Sequence, residues 1–154
     1  MELIAFAPPG ASAQPGRSVK QAWNEIMKIE GNTVLVTGGA SGIGLSIAKV
    51  FLENMNTVIV CGRNIVKLDQ VKKQYPGIHT FQCDVSSPVE LNQMFEYVTS
   101  SFPPLNILVN NAGIQYRYDF LKDESALQKI DAEIDINFIA ATRLTSAHPE
   151  MGFF

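Results

Sequence analysis

Apolar residues follow two different patterns along this chain. Short apolar runs, most of them rich in β-branched residues, occur at residues 34–37, 57–61 and 105–109, and a further strand is predicted at 78–83. Such runs are typical of strands that are buried on both faces of a parallel sheet. Apolar residues between and after them recur at three- and four-residue spacing, which predicts amphipathic helices. The alternation predicts an α/β fold, in which a doubly wound parallel sheet has helices on both faces. The sheet is predicted to end after about four strands.

The predicted helices carry apolar stripes, and two of them have capping signals. Asn64 can cap the second helix, while Ser87, Pro88 and Glu90 form a capping box with Pro at the first helical position. A stripe at helical spacing predicts the buried face of its helix. The last helix is predicted over residues 125–144, and its stripe comprises Leu127, Ile130, Ile134, Phe138 and Ala141.

A glycine-rich turn joins the first strand to the first helix. Thr37 precedes Gly38, Gly42 and Gly44 in the spacing Gly-x-x-x-Gly-x-Gly. Glycine lets the backbone turn sharply and approach a pyrophosphate closely, and the N–H groups and positive dipole of a helix start favour an anion. The turn therefore predicts a nucleotide site formed by Gly38, Ser41, Gly42, Ile43 and Gly44.

This turn has two alternative interpretations. Gly39 and Gly44 have the spacing of a phosphate-binding NTPase loop, but Leu45 occupies the place of the required Lys and could not reach a γ-phosphate. A turn with a purely structural role is the second alternative, because glycine-rich turns between strand and helix are common. The residues further along the chain favour the nucleotide.

The end of the second predicted strand indicates which nucleotide is preferred. A dinucleotide on such a sheet lies outside the carboxyl ends of the strands, and an enzyme that prefers NAD has an acidic residue near the end of the second strand. This chain has Arg63 and Asn64 there, with no carboxylate before Asp69. A guanidinium would hold a 2′-phosphate that a carboxylate would repel, so we predict NADP in preference to NAD. A solvated surface arginine is the alternative.

Three motifs occur in the order that a known family has. Thr37-Gly-x-x-x-Gly-x-Gly is followed by Asp84-Val85 and by Asn110-Asn111-Ala112-Gly113. Over about residues 27–144 the chain thereby resembles the short-chain dehydrogenase/reductase family. The resemblance implies a Rossmann-type domain and an NAD(P)-dependent oxidoreductase, which transfers a hydride between NADPH/NADP and a small-molecule carbonyl or alcohol substrate.

The resemblance also implies roles for individual residues. Asp84 and Val85 would flank the adenine ring, and the cofactor would be lined further along by Asn111, Ala112 and Gly113. Asn137 corresponds to a family asparagine that supports the catalytic lysine through water, which makes it a candidate catalytic residue. Each motif also has a structural interpretation, because Asp84 could be a turn or capping residue and Asn-Ala-Gly a simple turn.

The catalytic Ser and Tyr-x-x-x-Lys of the family have no match in the expected place. They lie beyond another strand and the start of another helix, and the 17 residues after Asn137 cannot hold them. Tyr118 and Lys122 match the letters but precede the last predicted helix, so we interpret them as a coincidence. The chain resembles an amino-terminal fragment that is inactive alone. A catalytically silent NADP-binding module or partner protein is the alternative.

Composition restricts the class of protein. The 154 residues are 46% hydrophobic and 18% charged with a net charge of −3, which is typical of one globular domain and does not indicate nucleic-acid binding. We predict no membrane span, because no apolar run approaches roughly 20 residues, and a cytoplasmic protein, because the opening residues lack a secretory signal. Cys61 and Cys83 are predicted to be buried free thiols, with no metal site.

The chain divides into three predicted parts. Residues 1–26 are expected to be a flexible leader, 27–145 the NAD(P)-binding domain and 146–154 an atypical tail. A sheet that stops at its fourth strand has an exposed apolar edge with unpaired backbone groups. We therefore expect aggregation or pairing with another chain, including a homo-oligomer.

Overall fold

The computed structural model describes the backbone of residues 2–5 and all of residues 29–146. The strands in these ranges are β1 Glu2–Ala5, β2 Thr33–Thr37, β3 Thr57–Gly62, β4 Ile78–Gln82 and β5 Ile107–Asn110. The helices are α1 Gly42–Glu53, α2 Ile65–Gln74, α3 Pro88–Ser101, α4 Ala126–Ile134, a π-helix Asp135–Ile139 and α5 Ala140–Ser146. No helix within the same ranges is both long and apolar enough to cross a membrane.

The sheet has the predicted doubly wound arrangement. Its strand order is β1-β5-β2-β3-β4, and β2 to β5 run parallel, with Val36 opposite both Val60 and Val109. The chain winds outward from β2 in both directions, so the carboxyl end of β2 is the point at which strand order reverses. The predicted fold class is confirmed, and the predicted strand bounds are correct to within two residues.

Alternate residues of the strands form two separate cores. Because side chains alternate between the faces of a sheet, one face of β2, β3 and β5 packs against α1 and α2. That core contains Val34, Val36, Val58, Val60 and Val109 with Ala48, Leu68 and Val71. The opposite core contains Leu35, Ile59 and Leu108 with Met94, Val98, Ile136, Ala140 and Leu144, from α3, the π-helix and α5.

The edge of the sheet differs from the prediction. β1 pairs antiparallel with β5, with Leu3 opposite Val109 and Ile4 opposite Leu108. The predicted exposed edge at the fourth strand is therefore wrong, because β1 supplies backbone partners along it. Glu2–Ala5 also depart from the expected flexible leader. Residues 6–26 and 147–154 lie outside the described residues, and the rest of the leader and the tail stay predictions.

The last predicted helix is divided, and its apolar stripe is not its packed face. A π-helical turn carries more residues than an α-helical turn, so a stripe drawn at constant α-helical spacing through residues 135–139 changes face there. Half-buried Ile130 and Ala141 are the best covered members of the stripe. Its exposed members are Leu127, Ile134 and Phe138. The buried positions are instead Ala126, Ile136, Ala140 and Leu144.

One predicted cap is confirmed, and the other is only half formed. The Asn64 Oδ1 atom accepts a hydrogen bond from the Lys67 N–H at 3.0 Å, as predicted for an N-cap. Ser87 Oγ accepts from the Glu90 N–H at 3.4 Å, but the Glu90 carboxylate accepts from the Asp84 N–H at 2.8 Å. Glu90 thereby holds the backbone at the end of β4, where the candidate site begins.

A chain of asparagine amides connects the amino ends of three strands. Asn56 Oδ1 accepts from the backbone N–H and the Nδ2 of Asn32 at 2.9 and 3.0 Å. Asn32 Oδ1 in turn accepts from Asn106 Nδ2 at 3.0 Å, and Asn106 Oδ1 accepts from the Thr33 N–H at 2.9 Å. The network therefore joins the starts of β2, β3 and β5, at the end of the strands opposite the glycine-rich turn.

We expect Asn56→Ala to lower the free energy of unfolding by roughly 3 kcal/mol, because it leaves several buried polar groups without partners. Asn56 is only 6% exposed, and its Nδ2 also lies within 3.0 Å of the carbonyl oxygens of Ile29, Phe51 and Asn54. Urea unfolding measures the change. Asn54→Ala is the matched control, since that exposed amide donates to the Val50 carbonyl beside solvent, and its loss should cost less than about 1 kcal/mol. Equal losses would contradict the role of the network.

Candidate functional site

The glycine-rich turn lies at the carboxyl end of β2. Gly38 and Gly42 have φ values of 65° and 58°, in the left-handed region that only glycine adopts readily. The Gly39 N–H donates to the Cys61 carbonyl at 3.3 Å, which fixes the turn against the end of β3. The turn therefore needs glycine at two predicted positions for conformational reasons.

The other glycines are required by close packing. A Cβ atom on Gly44 would lie 2.4 Å from Asn111 Nδ2 and 2.6 Å from the Gly38 carbonyl oxygen. One on Gly39 would lie 2.7 Å from the Val60 side chain, whereas one on Gly42 would have nothing within 4 Å. Gly44 therefore lets α1 approach the turn, and Gly42 borders open space that a ligand can occupy.

Thr37 and Asn111 hold the turn to the end of β5. Thr37 Oγ1 accepts from the N–H groups of Asn111 and Ala112, both at 3.0 Å, and donates to the Val109 carbonyl at 3.3 Å. Asn111 Nδ2 donates to the carbonyl oxygens of Thr37 and Gly38 at 3.0 and 3.3 Å. The Asn111 side chain, predicted to line the cofactor, thus supports the loop. Thr37 was not predicted as a site residue, although a polar side chain ending a buried strand is a signal for one.

The start of α1 has no capping side chain. Ser41 occupies the N-cap position but makes no side-chain capping bond, and the first turn contains no acidic residue. Asn64 and Ser87 cap the starts of α2 and α3. Since the first N–H groups of a helix lack intrahelical acceptors and carry the positive end of the dipole, the start of α1 is suited to an anion.

A cleft of about 120 Å³ opens beside this turn, between the carboxyl ends of the parallel strands. It brings together six of the predicted residues, Gly38, Arg63, Asp84, Val85, Ala112 and Gly113. It is also lined by four residues that were not predicted, Gly62, Cys83, Ile114 and Ile136, each adjacent in sequence to a predicted one. The predicted residues outside its lining are Ser41, Gly42, Ile43, Gly44, Asn64, Asn111 and Asn137.

Opposite charges face each other in the cleft. Arg63 Nη1 lies 3.9 Å from Asp84 Oδ2, and the two side chains are 58% and 32% exposed. Asp84 Oδ1 accepts from the N–H and hydroxyl of Ser86 at 2.9 and 2.7 Å, so the predicted turn alternative holds for this oxygen. Asp84 Oδ2 remains directed toward Arg63. The pair is partly solvated and weak, so a stronger anion can compete for the guanidinium.

Asn137 lies on the π-helix beside the cleft. Its Oδ1 accepts from the Ile114 N–H, and its Nδ2 donates to the Ile114 carbonyl, both at 2.8 Å. Both polar atoms of the amide are therefore paired with the backbone just after Gly113. Single π-helical turns frequently occur at functional sites, and here the turn places Asn137 against the cleft wall.

Tyr118 and Lys122 contact other residues in this structure. The Tyr118 ring packs edge-to-face on Phe120, with centroids 5.1 Å apart. The Lys122 Nζ atom lies 3.7 Å from Asp119 Oδ2, and the lysine side chain is 83% exposed. Both residues belong to the segment between β5 and α4, and neither lines the cleft.

Both cysteines are free and buried, as predicted. Burial strongly raises the pKa of the Cys61 thiol, and the neighbouring Cys83 adds to the effect. Burial, followed by the charges of Glu90 and Asp84, raises the pKa of Cys83 to about 12. Cys83 lines the cleft but stays a neutral thiol at physiological pH, so it contributes apolar surface and no nucleophile. Among the described residues, no group of three or more His, Cys, Asp or Glu could hold a metal ion.

Solved structures resemble this chain over most of its described length. A short chain dehydrogenase from Bacillus anthracis superposes with a TM-score of 0.70 and 27% identity, over 78% of this chain and 51% of that one. The closed form of serine dehydrogenase complexed with NADP⁺ superposes with a TM-score of 0.67 and 28% identity, over 77% of this chain and 48% of that one. The likeness extends beyond fold to sequence.

Sequence relatives support the same assignment. The uncharacterized oxidoreductase DltE of Bacillus subtilis is 47% identical over 120 residues, which are 78% of this chain and 48% of that protein. The chain therefore spans about half the length of this relative. The family model for short chain dehydrogenase matches residues 32–151, which include the turn, the cleft and Asn137. The chain belongs to the short-chain dehydrogenase/reductase family of oxidoreductases.

Proposed function

We propose that this chain binds NADP(H), in preference to NAD(H), as the cofactor-binding part of an oxidoreductase that acts on a small carbonyl or alcohol substrate. The proposal rests mainly on the observation that Arg63 lies in the same cleft as Gly38 and Asp84, with no carboxylate at the end of β3. When bound, the nicotinamide supplies or accepts the hydride. A cytoplasmic location belongs to the same proposal.

The groups present fit the parts of this cofactor. The uncapped start of α1, with Ser41, Gly42 and Ile43, would hold the pyrophosphate through backbone N–H groups. Asp84 and Val85 would flank the adenine, and Arg63 would hold the 2′-phosphate beside Asn64. The open space at Gly42 supports this placement, because a pyrophosphate needs close access to the backbone. Ala112 and Gly113 would line the cofactor further along the cleft.

The Arg63 guanidinium is suited to the 2′-phosphate for an electrostatic reason. It is more than half exposed, and its contact with Asp84 is a 3.9 Å pair that solvent screens. A phosphate monoester carries up to two charges and accepts bidentate hydrogen bonds from a guanidinium. The phosphate would therefore displace the weaker carboxylate partner and leave Asp84 to accept from the adenine. The serine dehydrogenase neighbour with NADP⁺ supports this choice of cofactor by analogy.

Arg63→Ala is expected to narrow the preference for NADP by about 10- to 100-fold while changing the Kd for NAD little, since one charge-assisted contact contributes roughly 1.5–3 kcal/mol. Calorimetric titration of both cofactors measures this. Arg117→Ala is the matched control, because Arg117 is exposed and lies outside the cleft lining. An NAD preference in the wild-type chain, or an unchanged preference in Arg63→Ala, would contradict the assignment.

We also propose that the described part of the chain holds no proton donor for the reaction. Hydride transfer to a carbonyl needs an acid within hydrogen-bond reach of the substrate oxygen. Tyr118 packs on Phe120 and Lys122 pairs with Asp119, outside the cleft lining. The same observation favours the second candidate, a catalytically silent NADP-binding module or partner protein. The two candidates differ when the chain is joined to the segment of a family member that carries its Tyr-x-x-x-Lys. The cofactor-binding part of an oxidoreductase should then turn over a carbonyl substrate, whereas a silent module should only bind NADP.

A further inference from the structure

The loop that carries Arg63 is held by residues of the neighbouring strand. Gln82 is the last residue of β4 and stands opposite Gly62 in the register. Its Nε2 donates to the Arg63 carbonyl at 3.1 Å. The next residue, Cys83, donates its N–H to the Gly62 carbonyl at 3.0 Å. The end of β4 therefore holds two successive carbonyl groups of the loop.

The residues on both sides of Arg63 are also held by hydrogen bonds. Gly62 is held by Cys83 on one side, and Asn64 caps α2 through Lys67 on the other. Arg63 and Asn64 follow the end of β3 and precede α2, so strand pairing does not hold the peptide between them. The Arg63 carbonyl belongs to that peptide, whose orientation depends on ψ of Arg63 and φ of Asn64, so the hydrogen bond from Gln82 limits its rotation.

We propose that Gln82 is a positioning residue for cofactor selectivity, which acts by fixing the peptide of Arg63 so that the guanidinium faces the cleft. This inference rests on the proposed function of Arg63 in binding a 2′-phosphate. Gln82 itself is exposed and does not line the cleft. Its effect is therefore transmitted through the backbone of Arg63, without direct contact with the ligand.

The direction of the guanidinium supports this role. Arg63 Nη1 lies near Asp84 Oδ2, and Asp84 follows Gln82 by two residues on the same strand end. Gln82 thus fixes the main chain of Arg63 while Asp84 faces its side chain. A planar guanidinium binds phosphate well only when its two N–H pairs are directed correctly. Loss of the Gln82 contact should therefore weaken binding of the 2′-phosphate and leave the rest of the nucleotide unaffected.

The test uses 2′,5′-ADP and 5′-AMP, which differ only in the 2′-phosphate, titrated into the whole chain. In Gln82→Met, the Kd for 2′,5′-ADP should rise roughly two- to five-fold, the range of one exposed neutral hydrogen bond, and the Kd for 5′-AMP should not change. Gln74→Met is the matched control, an exposed glutamine at the end of α2, and should leave both constants unchanged.

A double-mutant cycle separates positioning from a general structural effect. In the Arg63→Ala background, Gln82→Met should produce no further change in the ratio of the two constants. A thermal unfolding curve with an unchanged midpoint shows that the fold is intact, and Gln82→Leu repeats the test with a second apolar side chain.

The outcomes distinguish the two proposals. If Arg63→Ala removes the preference for 2′,5′-ADP and Gln82→Met retains it fully, the role of Gln82 is overturned and the function of Arg63 stands. Equal weakening of both nucleotides, or an equal effect of Gln82→Met with and without Arg63, also overturns the role of Gln82. If the wild-type chain shows no preference for 2′,5′-ADP, the proposed function fails, and the inference that rests on it fails too.

Discussion

The 154-residue chain expressed by itself is expected to oxidise no measurable NADPH with a panel of aldehydes and ketones. General acid catalysis is worth about 10²- to 10⁴-fold, and it needs a donor of suitable pKa near the substrate oxygen. In the described part of the chain, the one tyrosine–lysine pair with the family spacing is Tyr118 and Lys122. These residues contact Phe120 and Asp119 and do not line the cleft.

The same sample must bind nucleotide for this result to be informative. Calorimetric binding of NADP, together with light scattering that shows a single species, would establish a folded chain without turnover. Tyr118→Phe should leave any residual rate unchanged. Robust turnover that disappears in Tyr118→Phe would show that this tyrosine reaches the substrate, and it would overturn the interpretation of Tyr118 and Lys122 as a coincidence.

Gly42→Val is expected to raise the Kd for NADP by about 100-fold or more. A Cβ atom on Gly42 meets no atom within 4 Å outside the neighbouring residues and the backbone of its own helix, so a side chain there would occupy the space proposed for the pyrophosphate. The expected loss of binding free energy corresponds to roughly two charge-assisted hydrogen bonds from backbone N–H groups. Titration calorimetry on the variant measures the change.

Gly31→Val is the matched control for this substitution. Gly31 has a φ of 75° and Gly42 one of 58°, and a Cβ atom on either would have open space. Both variants therefore bear a similar backbone cost, of order 1–3 kcal/mol. Gly31 precedes β2, at the opposite end of that strand from the cleft, so Gly31→Val should lower stability and retain affinity. Unchanged affinity in Gly42→Val would count against a nucleotide at the turn.

A large part of the fold could be predicted because its signals are local. A buried parallel strand needs a continuous apolar run, and a left-handed turn residue needs glycine, as found at Gly38 and Gly42. The N-cap at Asn64 was predictable for the same reason, since its partner Lys67 is three residues away. The absence of an acid near Arg63 was likewise visible in the sequence.

Several site features could not be predicted, because they depend on contacts between distant parts of the chain. The Thr37 to Asn111 bonds join residues 74 positions apart, and the Asn137 to Ile114 bonds join residues 23 apart. Nothing local to Gln82 indicates that its amide reaches the Arg63 carbonyl 19 residues earlier. The support that the Asn111 side chain gives to the turn was not visible in the sequence for this reason, and its predicted role in lining the cofactor stays a prediction.

Periodicity, backbone freedom and residue type act over a few positions, and they were enough to predict the order of the four parallel strands and of the helices between them, the glycine-rich turn and the charge at the end of β3. Which faces are buried and which backbone groups are paired depends on how the elements pack together. The pairing of β1 with β5 and the exposure of Leu127 and Phe138 are examples. Both depend on which surfaces meet when the whole sheet assembles, and no short segment of sequence carries that information.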